Sequence, residues 1–156
     1  LRDPRFVADV HLAKLARHLR MAGFDTLCEP AWDDDAIVAA SLAGRRTILT
    51  RDKAMLRRGE VERGYFVRAV ESERQLAEVL QALQLEGAVD PFTRCRECNT
   101  VLQDASAQEV AERVPPRIRM LYEEYKHCPG CARIYWPGSH YDRMRGILAR
   151  AVTTRS

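Results

Sequence analysis

Arg5-Phe6-Val7-Ala8-Asp9-Val10 reads as a buried strand that closes on an acid, and Arg46-Thr47-Ile48-Leu49-Thr50 followed by Arg51-Asp52 has the same form. What lies between and after them decides the fold. Leu12, Leu15, Ala16 and Leu19 recur at helical spacing, with Lys14, Arg17, His18 and Arg20 off that stripe, and Gly23 is placed to end the helix. Phe24 to Cys28 reads as a second strand, stopped by Pro30. Asp33-Asp34-Asp35 precede an apolar stretch from Ala36 to Leu42, as acids do at a helix N-terminus, and Gly44 closes it. A short basic helix is expected over Lys53 to Arg58, a fourth strand over Tyr65 to Val70, and a helix capped by Ser72 that carries Leu76, Val79, Leu80 and Leu83. Strand–helix units repeated at this spacing predict an α/β fold: a parallel sheet flanked by helices.

The composition changes near Gly87 to Pro91, which divides the 156 residues into a domain over 1–90 and a smaller module over 91–156. In the second part, Ala107 to Val114 is a predicted helix broken by Pro115-Pro116, and Ile118 to Tyr125 a predicted second one. Hydrophobic residues make up 46% and charged residues 30%, a globular balance. No apolar run nears the roughly 20 residues that cross a bilayer, so a membrane is not expected as a partner. The first residue is Leu1, and no secretory signal pattern follows it; a fragment of a longer cytoplasmic protein is expected. Net charge is +3, as −1 over residues 1–90 and +4 over 91–156. Only Lys14, Lys53 and Lys126 are lysines among 25 basic residues; the arginine excess suits phosphate, or simply a GC-rich genome.

Four of the five cysteines form two C-x-x-C pairs, Cys95/Cys98 and Cys128/Cys131, separated by 29 residues. Four thiolates on two tight turns predict a closed, structural tetrahedral Zn²⁺ site; an iron–sulfur cluster or free thiols are the rivals. With zinc bound the site carries −2, so the tail remains basic, at about +2. Arg133 and His140, among Tyr135, Trp136 and Tyr141, place arginine beside aromatic rings, the combination that holds single-stranded nucleic acid. The plainer alternative is that Tyr135 and Trp136 pack the module's small core.

Asp9 and Asp52 each follow a predicted strand, and strand C-termini open onto the binding crevice of a parallel sheet. With a third acid from Asp33, Asp34 or Asp35 they form a hard-oxygen set suited to Mg²⁺ or Mn²⁺, ions that serve phosphodiester cleavage. The competing reading makes Asp9 and Asp52 helix caps and the aspartate run a solvated helix start. Lys14 and Arg17 follow Asp9 on the next helix, where they meet incoming phosphates or merely form its charged face.

The succession Phe6-Val7-Ala8-Asp9, Leu12 to Arg20, Gly23 to Thr26, Ile48 to Asp52, Arg94 to Asn99, Cys128-Pro129-Gly130-Cys131 and Ile134-Tyr135-Trp136 with Gly138-Ser139-His140 resembles the mut-seven C-terminal ribonuclease-like family, almost end to end. The resemblance implies a PIN-like nuclease domain with a zinc ribbon and a Mg- or Mn-dependent ribonuclease. It assigns Asp9, Asp34 and Asp52 as metal-binding catalytic acids, and Lys14 and Arg17 as companions at the crevice; Arg51, beside Asp52, joins them as an expected RNA contact. Some bacterial members carry a ubiquitin-like domain ahead of this one. The chain departs from the family at His18, where a bulky aromatic is usual, and at Ala13 and Ala132, where glycine is usual; a fourth acid has no assigned position.

The leading expectation is therefore a ribonuclease whose ribbon aids RNA binding. A catalytically inactive RNA-binding or complex-assembly module is the alternative. A phospho-acceptor domain is disfavoured, because Asp9 is followed by Val10-His11 rather than a second acid, and no lysine lies between Lys53 and Lys126.

Overall fold

The computed structural model describes residues 3–153, without the side chains of His140 and Thr153. Four parallel strands, β1 (Arg5–Ala8), β2 (Asp25–Leu27), β3 (Thr47–Thr50) and β4 (Gly64–Phe66), form one sheet in the order β2-β1-β3-β4. Helices alternate with them: α1 (Ala13–Met21), α2 (Asp34–Gly44), α3 (Lys53–Leu56) and α4 (Ser72–Ala82). This is the α/β architecture expected from the alternation of apolar runs.

The period of two along β1 separates two cores. Phe6 and Ala8 join Leu49 on the face covered by α1 and α4, together with Leu15, Leu19, Leu76 and Leu80. Val7 and Ile48 face the other way, onto Ile37 and Val38 of α2 and Met55 of α3. Both central strands are thus covered on both faces, which is why they read as nearly continuous apolar runs.

Several expected elements come out shorter: β2 by a residue at each end, α3 by two residues, and two others by more. Strand β4 ends at Phe66 rather than Val70. Beyond it the Arg51 guanidinium donates to the carbonyls of Val67, Arg68 and Ala69 (3.0, 2.6 and 3.0 Å), and the Glu78 carboxylate accepts from the N–H groups of Arg68 and Ala69. Side chains satisfy this backbone where a neighbouring strand otherwise would. The helix expected over 118–125 is the single turn α6 (Pro116–Arg119), after α5 (Ala107–Arg113). Tyr125 instead folds back, its hydroxyl donating to the carbonyls of Tyr122 (2.7 Å) and Ile118 (3.2 Å).

The second part of the chain contains a small antiparallel sheet, β5 (Gln103–Asp104), β6 (Lys126–His127) and β7 (Ile134–Tyr135). It ends in α7 (Ser139–Thr153), a helix absent from the sequence reading. This helix leaves the small sheet and packs on α4, placing Met144, Ile147, Leu148 and Ala151 in the same core as Phe6 and Leu80. Their spacing of three, four and seven residues was the legible signal. The apolar core of the parallel sheet is thus closed by residues from both sides of position 90.

Candidate active site and metal centre

Between β1 and β3 the order of the sheet reverses: the chain runs outward to β2 on one side and to β4 on the other. Asp9 and Asp52 flank that switch point, where parallel sheets bind ligands. Asp9 directly follows β1, and its N–H donates to the Leu49 carbonyl (3.1 Å). Thr50, fully buried at the end of β3, joins the two acids: its hydroxyl donates to Asp9 Oδ2 (3.4 Å) and accepts from the Asp52 N–H (3.0 Å). Sequence reasoning gave this threonine no role of its own.

Each acid also caps a helical turn. Asp9 Oδ1 accepts from His11 N–H (3.1 Å), Asp52 Oδ1 from Ala54 N–H (2.9 Å), and Asp33 Oδ1 from Ala36 N–H (2.9 Å). Asp35 pairs with Arg58. Asp34, exposed at the first position of α2, makes no ion pair among the described residues, which sets it apart from its two neighbours. The ligand oxygens of Asp9, Asp34 and Asp52 do not lie together within 4.8 Å; among the described residues only the cysteines form such a group. Asp34 and Asp52 are exposed, so their side chains have room to turn.

The expected RNA contacts fall in different places. Lys14 and Arg17 are exposed on α1, and Arg17 Nε lies 4.0 Å from Glu97. Arg51 is engaged with the loop after β4. Arg133 is exposed beside the cysteines, and the side chain of His140 lies outside the described residues. His18 turns away from the crevice: its Nε2 lies 3.1 Å from the Ser72 hydroxyl, and its Nδ1 is buried with no hydrogen-bond partner among the described residues. Burial holds its pKa below the usual histidine value.

The cysteine centre is made by two matching turns. Cys95 N–H donates to Thr100 O and Asn99 N–H to Cys95 O; in the second turn Cys128 N–H donates to Arg133 O and Ala132 N–H to Cys128 O. Asn99 (φ 73°) and Ala132 (φ 66°) both take the left-handed conformation that closes each turn. That is the conformation glycine adopts at no cost, and it accounts for the family's usual glycine at position 132. All four sulfurs lie within 4.8 Å of one another, with Cys95–Cys131 at 3.7 Å and Cys98–Cys128 at 3.2 Å. Zn–S bonds of about 2.3 Å in a tetrahedron place sulfurs about 3.8 Å apart, so this donor set fits one ion such as zinc. Although burial favours the neutral thiol, the Thr100 hydroxyl and N–H hold Cys98 down at about 6, already near the thiolate a metal requires.

The first knuckle is docked on the outer edge of β2. Asn99 Oδ1 accepts from Thr26 N–H (2.9 Å) and its Nδ2 donates to Asp25 (2.7 Å). Arg20, nearly buried, donates to Thr26 O (2.8 Å) and to the carbonyls of Arg96 (2.9 Å) and Glu97 (3.2 Å). Burial works to raise the Asp25 pKa, but hydrogen bonds from Arg46 and Asn99 prevail and keep it below the usual carboxylate value. An open strand edge is thereby covered by polar groups in place of another strand.

No helix among the described residues is long and apolar enough to cross a membrane. Neither the curated proteins nor the solved structures yield a match. A family model does: that of the Mut7-C RNAse domain matches residues 4–148, from just before β1 into α7, and the chain belongs to this family.

Proposed function

We propose that the protein is a metal-dependent ribonuclease that hydrolyses RNA phosphodiester bonds at Asp9, Asp34 and Asp52, with a structural zinc ribbon aiding RNA binding. Membership of an RNase domain family supports nuclease chemistry. The observation that carries the site is the pairing of Asp9 and Asp52 through Thr50 at the switch point of the sheet. Their hard oxygen donors, with Asp34, suit Mg²⁺ or Mn²⁺. Such an ion, when bound, would supply the charge that activates water and stabilises the leaving oxygen. In this reading the aspartates orient the attacking water opposite the scissile P–O bond. Lys14 and Arg17 hold the flanking phosphates, and Arg51 fixes the loop beside Asp52. Cysteines used as metal ligands rather than disulfides favour a reducing, cytoplasmic location.

A second reading, an inactive RNA-binding or assembly module, is favoured by the capping bonds of Asp9 and Asp52, which explain both acids without an ion. One experiment separates the two. A panel of single-stranded, hairpin and transfer RNAs is incubated with and without Mn²⁺ in chelator-free buffer, so that zinc is retained. Cleavage by the native protein is expected to fall on the order of 100-fold or more in Asp52→Asn and Asp9→Asn. Thermal stability should barely change, because asparagine caps a helix as well as aspartate. Unchanged cleavage in both variants would overturn the assignment. Salt-dependent RNA binding without any Mn²⁺-dependent cleavage would favour the second reading.

A further inference from the structure

A cleft of about 570 Å³ is lined by residues of the ribbon and of the start of α7. It falls within the roughly 300–1,000 Å³ typical of small-ligand sites. Flat rings line it: Phe92, Tyr122, Tyr135, Trp136 and Tyr141. Phe92 and Tyr141 meet edge to face at 5.3 Å, with the Lys126 ammonium 5.2 Å from the Phe92 ring and the Arg145 guanidinium 5.8 Å from the Tyr141 ring, so cations already sit on aromatic faces at this cleft. Arg94, Arg96, Arg113 and Arg133 also line it, against one acid, Glu97. That acid is already neutralised by Arg96 (3.2 Å) and Arg17 (4.0 Å). Arg94 also donates to the Asn99 carbonyl (2.8 Å) and Arg113 pairs with Glu109 (3.3 Å), but each guanidinium keeps further N–H groups, so the ring-walled cleft is complementary to a planar group carrying negative charge.

A second groove of about 310 Å³ also has Glu97 in its wall. Arg17, Arg20 and Cys28 line it. The two clefts share Glu97 in their walls, and the second has in its lining Val10, the residue after Asp9. A single strand of nucleic acid fits these walls, because its bases can unstack onto the rings while its phosphates follow the arginines. A duplex does not, because its bases are stacked on one another and its width exceeds a groove of this size.

We propose that the ribbon–α7 cleft is a binding subsite for unpaired RNA nucleotides, stacking bases on Trp136 and its neighbouring rings, and that it feeds a single strand past Arg17 to Asp9. This rests on the ribonuclease reading for the meaning of the Asp9 end, but the subsite itself is tested by binding alone.

Trp136 is the reporter. Replacing Trp32→Phe, on the opposite face of the sheet, leaves Trp136 as the one tryptophan. The zinc-loaded full chain is titrated, without added Mg²⁺ or Mn²⁺, with a short single-stranded oligoribonucleotide, an abasic ribose-phosphate chain of equal length and an RNA duplex. The single strand is expected to quench Trp136, and the other two are not. Trp136→Leu should weaken single-strand binding roughly 5- to 150-fold, the range for losing one stacked base. Arg96→Gln, on a half-buried side chain, should weaken it and lower the salt slope by about one. Zinc content, measured on every variant, keeps a folding defect from counting as a binding defect. Equal quenching by the abasic chain, or single-strand affinity unchanged in zinc-loaded Trp136→Leu and Arg96→Gln, would overturn the proposal and leave the cleft to an acidic protein segment. Base-dependent quenching in a protein that cleaves no RNA would uphold the subsite while removing the ribonuclease reading.

Discussion

The strand-end acids and the cysteine centre are assembled in opposite ways. Each cysteine pair is set by its own turn, closed by backbone bonds between near neighbours and by one left-handed residue, Asn99 or Ala132. The aspartates come from three separate strand–helix junctions, and only the strand order β2-β1-β3-β4 brings Asp9 beside Asp52. The first arrangement is local geometry that a bound ion would complete; the second is tertiary topology completed by packing. One region should therefore depend on metal for its fold, and the other on its apolar core.

Removing the ion breaks this comparison most forcefully. Structural zinc contributes on the order of 10–16 kcal/mol to the folding of small modules. Chelation is expected to abolish amide-exchange protection across residues 94–135 while the amides of β1 and β3 stay protected, as read by hydrogen-exchange mass spectrometry. Loss of protection in both regions together would show that ribbon and sheet fold as one unit.

The next largest effect sharpens where the boundary runs. Leu148 follows the ribbon in the chain but is buried with Leu76 and Leu80. Leu148→Ala should cost about 2–5 kcal/mol in denaturant unfolding, with zinc content unchanged. If zinc were lost instead, α7 would belong energetically to the ribbon.

The joint between the regions can be cut by Asn99→Gly, which keeps the left-handed turn but removes both side-chain bonds to β2. Leaving Thr26 N–H without its partner should cost about 1–3 kcal/mol. Melting should report the loss, and zinc affinity should hardly change.

The smallest effect concerns His18. Its folded pKa is lowered by burial, so the folded state binds fewer protons than the unfolded one below the ordinary value of 6.5. Its contribution to stability is thus lost as pH falls through that value toward the lowered pKa. His18→Phe, the type of residue usual in the family, should flatten this part of the pH–stability profile and shift Tm at pH 7 by only a few degrees.

These predictions follow the line between what was legible and what was not. The buried strands were legible because Phe6-Val7-Ala8 and Ile48-Leu49 are covered on both faces, and that demand shows as an unbroken apolar run. The end of β4 was not, because Val67 to Val70 looks like a strand until Arg51 and Glu78 capture its backbone from distant positions. Helix α7 is absent from the sequence reading although Met144, Ile147, Leu148 and Ala151 carry the helical period. Of the candidate site, the four cysteines were legible in full, and so was the placing of Asp9 and Asp52 at strand ends. The bridging role of Thr50 was not, since a strand-end threonine has no signature apart from the acids it joins.

By itself, then, the sequence determined the alternation of strands and helices, the four thiolates and the acids at strand ends. These depend on periodicity and short spacings, which are properties of neighbours along the chain. Tertiary structure alone decided that Thr50 ties Asp9 to Asp52, that Arg20 and Asn99 fasten the ribbon to the β2 edge, and that α7 returns to close the sheet's core. Each of these joins residues far apart in the chain, so it exists only once burial has fixed the strand order and brought the partners within hydrogen-bond or van der Waals range.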